Sequence, residues 1–281
     1  MEIRRVLVVG AGQMGGGIAQ VVAASGRKVG LYDANPGATE RALATMRRSL
    51  SKLAEKGGPA PDDVLPRIAP VESLSEAGPA DLMVEAVVED ASAKEAVFRE
   101  ADALLPLDAI LASNTSSIPI GSLAAVTTRP ARVIGMHFFN PVPVLKLVEV
   151  VRAAETSDDT AAAVVALARE LGKEPVEARD VAGFVSNRIL MPFINEAVRA
   201  LAEGIAEPEG IDTVARLGFG HPMGPLALAD LIGLDTCVAI MEVLHRGLGD
   251  ARFEPAPLLR ERVAAGRLGR KSGAGFFTYG A

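Results

Sequence analysis

The chain has 281 residues, 49% hydrophobic and 23% charged, with a formal net charge of -6; at about 150 residues per domain this length implies two domains with a sizeable core. The acidic balance offers no basic face for nucleic acid, and glycine, proline or charge interrupts every apolar segment before it reaches membrane-spanning length. The only cysteine, Cys237, cannot form an internal disulfide, and Met1-Glu-Ile-Arg-Arg5 does not resemble a signal peptide, so the cytoplasm is the expected location.

Residues 3–9 read as a buried strand, and Gly10-Ala-Gly-Gln-Met-Gly15 then opens a helix running through Ile18 to Ser25. This is the G-x-G-x-x-G pattern of a dinucleotide site, in the strand-to-helix context it requires. Gly10 allows the tight turn, Gly12 lets a pyrophosphate approach the backbone, and Gly15 lets the helix pack on the strand, with Gln13 and Met14 at the same phosphate-facing turn. The helix N-terminus adds N–H groups and positive dipole. Gly16 and Gly17 lower helix propensity, which implies close packing against that first turn. A second strand, residues 28–32, ends in Asp33, where an acid would bind the adenine ribose hydroxyls and repel a 2′-phosphate, favouring NAD over NADP. The alternative is a glycine-rich turn before a purely structural helix.

Pro36, after Asn35, is expected at the first position of a long helix through Leu43, Met46, Leu50 and Leu53. Its other face carries Arg47, Arg48, Lys52 and Lys56, either as solvated charges or as partners for a bulky anionic substrate. Gly57-Gly-Pro-Ala-Pro61 ends the helix, and a short strand follows near Arg67 and Ile68. Residues 81–88 form the next expected strand, finishing at Glu89 and Asp90 before a helix containing Lys94, Val97 and Phe98. Residues 109–112 form another, ending in Ser113-Asn-Thr-Ser-Ser117. Ligands bind beyond the carboxyl ends of strands in an open parallel sheet, so both strand ends should face a cofactor. For Ser113 and Ser117 a helix-capping role is the preferred reading.

Residues 133–151 are an apolar run with His137 and Glu149 set into two strand-like segments, so each needs a buried partner. The connection, Phe138-Phe-Asn-Pro-Val-Pro143, is too short for a crossover helix, which makes the two strands close neighbours. A histidine held by a carboxylate is the usual form of a tuned general base; a structural ion pair is the other reading. A helix over residues 157–171 and a strand near 175–178 complete an α/β domain, taken as residues 1–183. Residues 184–281 read as a smaller all-helical domain, with Pro192 inside its first helix and no convincing strand. Apolar surface on so small a domain makes dimerisation through it plausible. Neither His221, in a turn-rich linker, nor His245, late in a helix, has a chemical setting, and no metal site is expected.

Together these segments resemble the 3-hydroxyacyl-CoA dehydrogenase family, particularly its short stand-alone members. The resemblance rests on the glycine loop, Ser113-Asn-Thr-Ser-Ser, Met136-His-Phe-Phe-Asn-Pro-Val-Pro, Leu147-Val-Glu-Val-Val, Asp180-Val-Ala-Gly-Phe-Val-Ser-Asn-Arg, Gly224-Pro-Leu-Ala-Leu-Ala-Asp and Gly269-Arg-Lys-Ser-Gly-Ala-Gly-Phe-Phe. It implies an α/β Rossmann-type N-terminal domain, an all-α C-terminal domain, NAD as cofactor and an acyl-CoA substrate. By that resemblance His137 is the general base with Glu149 as partner, Ser116 and Asn187 hold the 3-oxygen, and Asn140 lines the pocket between substrate and nicotinamide. Glu89, Lys94 and Lys271 fall near the cofactor, and Lys52 and Lys56 near CoA. The run Glu89-Asp-Ala-Ser-Ala93 departs from the family's usual version, being smaller and more polar. The competing readings are a same-fold dehydrogenase of a non-CoA hydroxy or sugar acid and a non-catalytic dinucleotide-binding protein.

Overall fold

The computed structural model describes residues 2–280; Met1, with which the N-terminal stretch begins, and Ala281 lie outside the described residues. The chain divides into two compact units, Met1–Asp180 and Val181–Ala281. The first is built on eight strands: β1 (Arg5–Val9), β2 (Lys28–Tyr32), β3 (Ile68–Pro70), β4 (Leu82–Glu85), β5 (Ile110–Ser113), β6 (Val133–Phe138), β7 (Leu147–Arg152) and β8 (Glu174–Arg179). They form one sheet in the order β3-β2-β1-β4-β5-β6-β7-β8. Every neighbouring pair is parallel except β6 and β7, which are antiparallel. Between them run α1 (Gln13–Ala24), α2 (Ala38–Ala54), α3 (Pro61–Val64), α4 (Ala91–Leu104), α5 (Ile120–Ala124) and α6 (Asp158–Glu170). This is a Rossmann-type α/β unit. Strands β4, β5 and β6 are buried at every position, and their near-continuous runs of Leu, Val, Ile, Met and Ala are what a strand covered on both faces requires.

The close packing expected at Gly16 and Gly17 is present. A Cβ on Gly17 would stand 2.8 Å from Val142 Cβ, and one on Gly16 would touch Ala42 and Met46 at 3.7 Å. The segment after β6 therefore lies directly on the first turns of α1. Lys173, buried between α6 and β8, ties that segment down: its ammonium donates to the carbonyls of Val142 and Leu145. Burial lowers the lysine's pKa.

Two expected boundaries differ. Pro36 precedes α2, which starts at Ala38. Asn35 to Ala38 is a hydrogen-bonded turn, Ala38 N–H donating to Asn35 O, with Gly37 at φ 72° and ψ 4°; Pro at the second position and Gly at the third are the signature of a type II turn. Strand β4 ends at Glu85, short of Val88. Beyond Glu85 the Val87 N–H turns back to the Glu85 carboxylate at 2.7 Å, and Val88 is 72% exposed.

The second unit is helical: α7 (Ser186–Ala202), α8 (Pro208–Thr213), α9 (Pro225–Ile232), α10 (Leu234–Leu248) and α11 (Pro257–Ala264), with isolated bridges near the end of the chain. Two buried aspartates tie its turns together. Asp212 accepts from the Leu226 and Ala227 N–H groups at the start of α9, each at 2.9 Å; burial pushes its carboxyl up despite these bonds. Asp230 accepts from Phe276 N–H, Phe277 N–H and Tyr279 OH. A Cβ on Gly275 would lie inside that carboxylate, so the Gly-Ala-Gly-Phe-Phe segment and the Asp ending Leu-Ala-Leu-Ala-Asp are two halves of one contact.

Replacing Gly17 by Ala sets two effects against each other. Helix propensity favours Ala by about 1 kcal/mol, while overpacking typically costs about 1–3 kcal/mol. The obstructing atom is the branched Cβ of a buried valine rather than the end of a flexible chain, so overpacking should win. Gly17→Ala is expected to lower the denaturation midpoint in urea; a variant more stable than wild type would refute the close contact.

Candidate active site

The register of the parallel strands aligns Tyr32, Val9, Glu85, Ser113 and Gly135 in one row across the sheet. Gly10, Asp33, Glu89, Ser116 and His137 all lie one to four residues past it. Residues distant in the sequence are thereby delivered to one sheet edge, where an open α/β sheet binds its ligand.

At the β1 end, the three motif glycines have distinct surroundings. A Cβ on Gly15 would fall 1.8 Å from Gly10 O, and one on Gly10 would fall 2.5 Å from Ala86 O, whereas Gly12 faces open space. Gly12 is also the N-cap residue of α1, and no side chain caps that helix. Its first turn carries Gln13, exposed, and Met14, half-buried. Open backbone N–H groups at a helix start fit a pyrophosphate. Asp33 Oδ2 accepts the Ala11 N–H at 2.7 Å, and Oδ1 accepts the Asn35 N–H at 2.8 Å. The acid therefore braces the glycine loop as well as facing the cavity. That cavity, about 690 Å³, is lined by Gly12, Gln13, Asp33, Asn35, Arg41 and Asn140 among others.

At the β6 end, His137 and Glu149 stand directly opposite each other across the antiparallel pair. Both are buried, and His137 Nδ1 lies 2.7 Å from Glu149 Oε2. An ionised carboxylate only accepts, so Nδ1 carries the proton and Nε2 is left as an acceptor. Ser116 Oγ is 3.1 Å from Nε2 and, with that tautomer, donates to it. The Phe139 ring packs at 4.7 Å from the imidazole. Such a unit can take a proton at Nε2 while the carboxylate faces the charge that results.

Between these two ends lies a cluster of charges and hydroxyls. Glu89 Oε1 accepts from Thr115 Oγ1 at 2.7 Å, Ser116 N–H at 2.9 Å, Ser117 N–H at 3.0 Å and Ser117 Oγ at 2.9 Å. Its Oε2 is 3.3 Å from Lys94 Nζ. Burial by itself would raise the Glu89 carboxyl, but Lys94 and these donors outweigh it and hold the group below the usual glutamate range. Lys94 is only 1% exposed and is held by Glu85 at 2.7 Å. Ser113 donates to Glu85 Oε2 at 2.6 Å. Neither Ser113 nor Ser117 caps a helix, since α5 begins later, after Pro119; the carboxylates of Glu85 and Glu89 are the stronger acceptors and capture one hydroxyl each. The sequence reading missed Glu85, although an acid closing the apolar strand Leu82-Met-Val-Glu85 carries the same desolvation signal as Glu149.

The remaining expected positions are placed as follows. Asn140 is exposed at the cavity wall. Lys52, in the last turn of α2, and Lys56, just beyond it, are exposed beside Arg48. Asn187 is buried in the first turn of α7 in the second unit. Lys271, in the same unit, has its ammonium 2.7 Å from Asp235 Oδ2.

Residues 5–181 match the 3-hydroxyacyl-CoA dehydrogenase NAD binding domain, and residues 183–279 match the C-terminal domain of the same family. A probable 3-hydroxybutyryl-CoA dehydrogenase of Bacillus subtilis is 55% identical over 282 residues, covering 99% of this chain and 98% of that protein. The 3-hydroxybutyryl-CoA dehydrogenase of Bradyrhizobium diazoefficiens is 46% identical over 99% of this chain and 96% of its own length. The crystal structure of the (S)-3-hydroxybutyryl-CoA dehydrogenase of Ralstonia eutropha superposes with a TM-score of 0.97 at 48% identity, covering both chains completely. With a glycine loop suited to NAD and a buried His–Glu pair at the same sheet edge, this chain belongs to the 3-hydroxyacyl-CoA dehydrogenase family.

Proposed function

We propose that the chain interconverts (S)-3-hydroxyacyl-CoA, such as 3-hydroxybutyryl-CoA, and 3-oxoacyl-CoA, with His137 as the proton-transferring group. The observation that carries this reading is the 2.7 Å contact between His137 Nδ1 and Glu149 Oε2, which leaves Nε2 as the acceptor. Bound NAD supplies the two-electron acceptor, and the bare start of α1, the open backbone at Gly12 and the carboxylate of Asp33 fit its phosphates and ribose. In oxidation the 3-hydroxyl proton passes to His137 Nε2 as the C3–H bond gives up its electron pair and the carbonyl forms. Glu149 stabilises the imidazolium as it appears. Ser116 Oγ, which shares Nε2, is suited to hold the same substrate oxygen. In the reductive direction the imidazolium returns the proton to that oxygen. The exposed cations Lys52 and Lys56 are suited to the phosphates of CoA.

His137→Gln should lose about 10²- to 10⁴-fold in turnover, the usual contribution of positioned acid–base catalysis, while still binding NADH. Wild-type turnover in that variant would remove His137 from the mechanism. The substrate class is tested by NADH oxidation with acetoacetyl-CoA, longer 3-oxoacyl-CoAs and the corresponding free acids. Faster turnover of a free acid than of its CoA ester would sink the acyl-CoA reading.

Asp33→Ala should narrow the preference for NADH over NADPH. An unchanged ratio of kcat/KM for the two would exclude Asp33 as the selector.

Our reading of the assembly is a homodimer formed through residues 184–281 and working in the cytoplasm. Ile205, Leu217 and Phe219 are 70%, 81% and 61% exposed, apolar side chains suited to burial against a second copy. Sedimentation at micromolar concentration should give twice 29.2 kDa, shifting towards monomer in Leu217→Lys; a wild-type monomer would overturn it.

A further inference from the structure

Glu85 has no part in the proton transfer described above, yet it sits fully buried at the end of β4, and two of its side-chain partners, Lys94 and Ser113, lead towards the centre. Oε1 accepts from Lys94 Nζ and Val87 N–H, each at 2.7 Å, and Oε2 accepts from Ser113 Oγ at 2.6 Å. Two separate routes then reach the loop of residues 115–117. In the first, the ammonium that Glu85 holds is 3.3 Å from Glu89 Oε2, and Glu89 Oε1 gathers the Ser116 and Ser117 N–H groups with the hydroxyls of Thr115 and Ser117. In the second, Ser113 Oγ, oriented by its donation to Glu85, accepts the Thr115 N–H at 3.1 Å. The first route ends on Ser116 and the second on its neighbour Thr115, and Ser116 Oγ is 3.1 Å from His137 Nε2.

One ammonium lies between two carboxylates, with Glu85 wholly buried and Glu89 40% exposed at its side chain. Without the Glu85 charge, the buried ammonium has Glu89 as its remaining carboxylate partner within reach, and an uncompensated buried charge is strongly disfavoured. Glu89 is then drawn towards Lys94 and away from the Ser116 and Ser117 N–H groups. The same substitution loosens Ser113, so the loop loses both of its supports together.

We propose that Glu85 is a positioning residue for the acid–base centre, holding the 115–117 loop through Lys94–Glu89 and through Ser113 so that the Ser116 hydroxyl stays against His137 Nε2. This rests on the reading of His137 as the proton acceptor. It differs from a merely structural role, in which Glu85 neutralises a buried lysine and its loss lowers stability without touching the histidine.

The test uses the full chain with Glu85→Gln, Lys94→Met, Ser113→Ala and the double variant Glu85→Gln/Lys94→Met. Two quantities are read: kcat and KM with acetoacetyl-CoA and NADH, and the imidazole 15N resonances of the three histidines without substrate, His137 being assigned by its loss in His137→Gln. Misplacing a catalytic group by about 1 Å can cost on the order of 100-fold. Glu85→Gln is therefore expected to lower kcat by about 10- to 100-fold, with KM for the acyl-CoA changed less than about twofold, and to shift the His137 resonances while those of His221 and His245 stay. Ser113→Ala cuts the second route alone and should move both readouts the same way by less. If Glu85 acts through Lys94, the double variant is no worse than the poorer single one. A folded Glu85→Gln protein with wild-type kcat and unshifted His137 overturns the proposal. Should that variant fail to fold, wild-type values of both readouts in Ser113→Ala overturn it. If the wild type itself turns over no 3-oxoacyl-CoA, the functional reading fails, while the His137 resonances still decide the positioning role.

Discussion

A buried imidazole facing a buried carboxylate across two antiparallel strands is the constraint on which the rest of the site depends. Neither group belongs in an apolar strand alone, and each is tolerated because it satisfies the other. The pairing requires register. His137 and Glu149 are directly opposed, and a slip of one residue would turn every side chain of one strand to the other face. It also requires the one reversal of direction in an otherwise parallel set of neighbours, because the proline-bearing connection between β6 and β7 is too short to cross over. The His–Glu pair and the irregularity of the sheet have the same origin.

Around that pair, the sheet edge is furnished with carboxylates whose ligands are mostly the protein's own. Glu85 and Glu89 share one lysine and organise Ser113, at the end of β5, and the three residues Thr115, Ser116 and Ser117 that follow it closely. The loop that carries Ser116 is thus held by charge-assisted bonds, which are stronger and more directional than those between neutral groups. Asp33 behaves similarly at the other end, where one oxygen accepts the Ala11 N–H and braces the backbone of the glycine loop. Residues read only as ligand contacts are also part of the scaffold that makes the contact possible.

Some motifs that carry the family resemblance have an evident role in packing. The Asp closing Gly224-Pro-Leu-Ala-Leu-Ala-Asp230 receives two backbone N–H groups from the Gly-Ala-Gly-Phe-Phe segment, which approaches so closely that Gly275 has no room for a Cβ. A buried carboxylate and the glycine it touches must be kept together, and a sequence string alone does not distinguish this from binding.

Much of the fold is visible in local patterns. The glycine loop, the apolar strands, the helical texture after residue 183 and the pairing of two costly residues in residues 133–151 are all short-range signals, since periodicity, turn chemistry and desolvation act over a few neighbours. Even some misread details were locally encoded, such as the Pro36-Gly37 turn that delays α2. What the sequence by itself determined is therefore the kinds of element, their order and the residues too polar for their surroundings. Only the tertiary structure decided which of those polar residues meet. Ser113 abandons the expected helix cap because the parallel register brings the end of β4 beside the end of β5. Glu85 and Lys94 are fully buried because one strand and the helix after it fold back on each other. Sheet register acts between residues far apart in the chain, and it sets the distances on which hydrogen bonding and proton transfer depend.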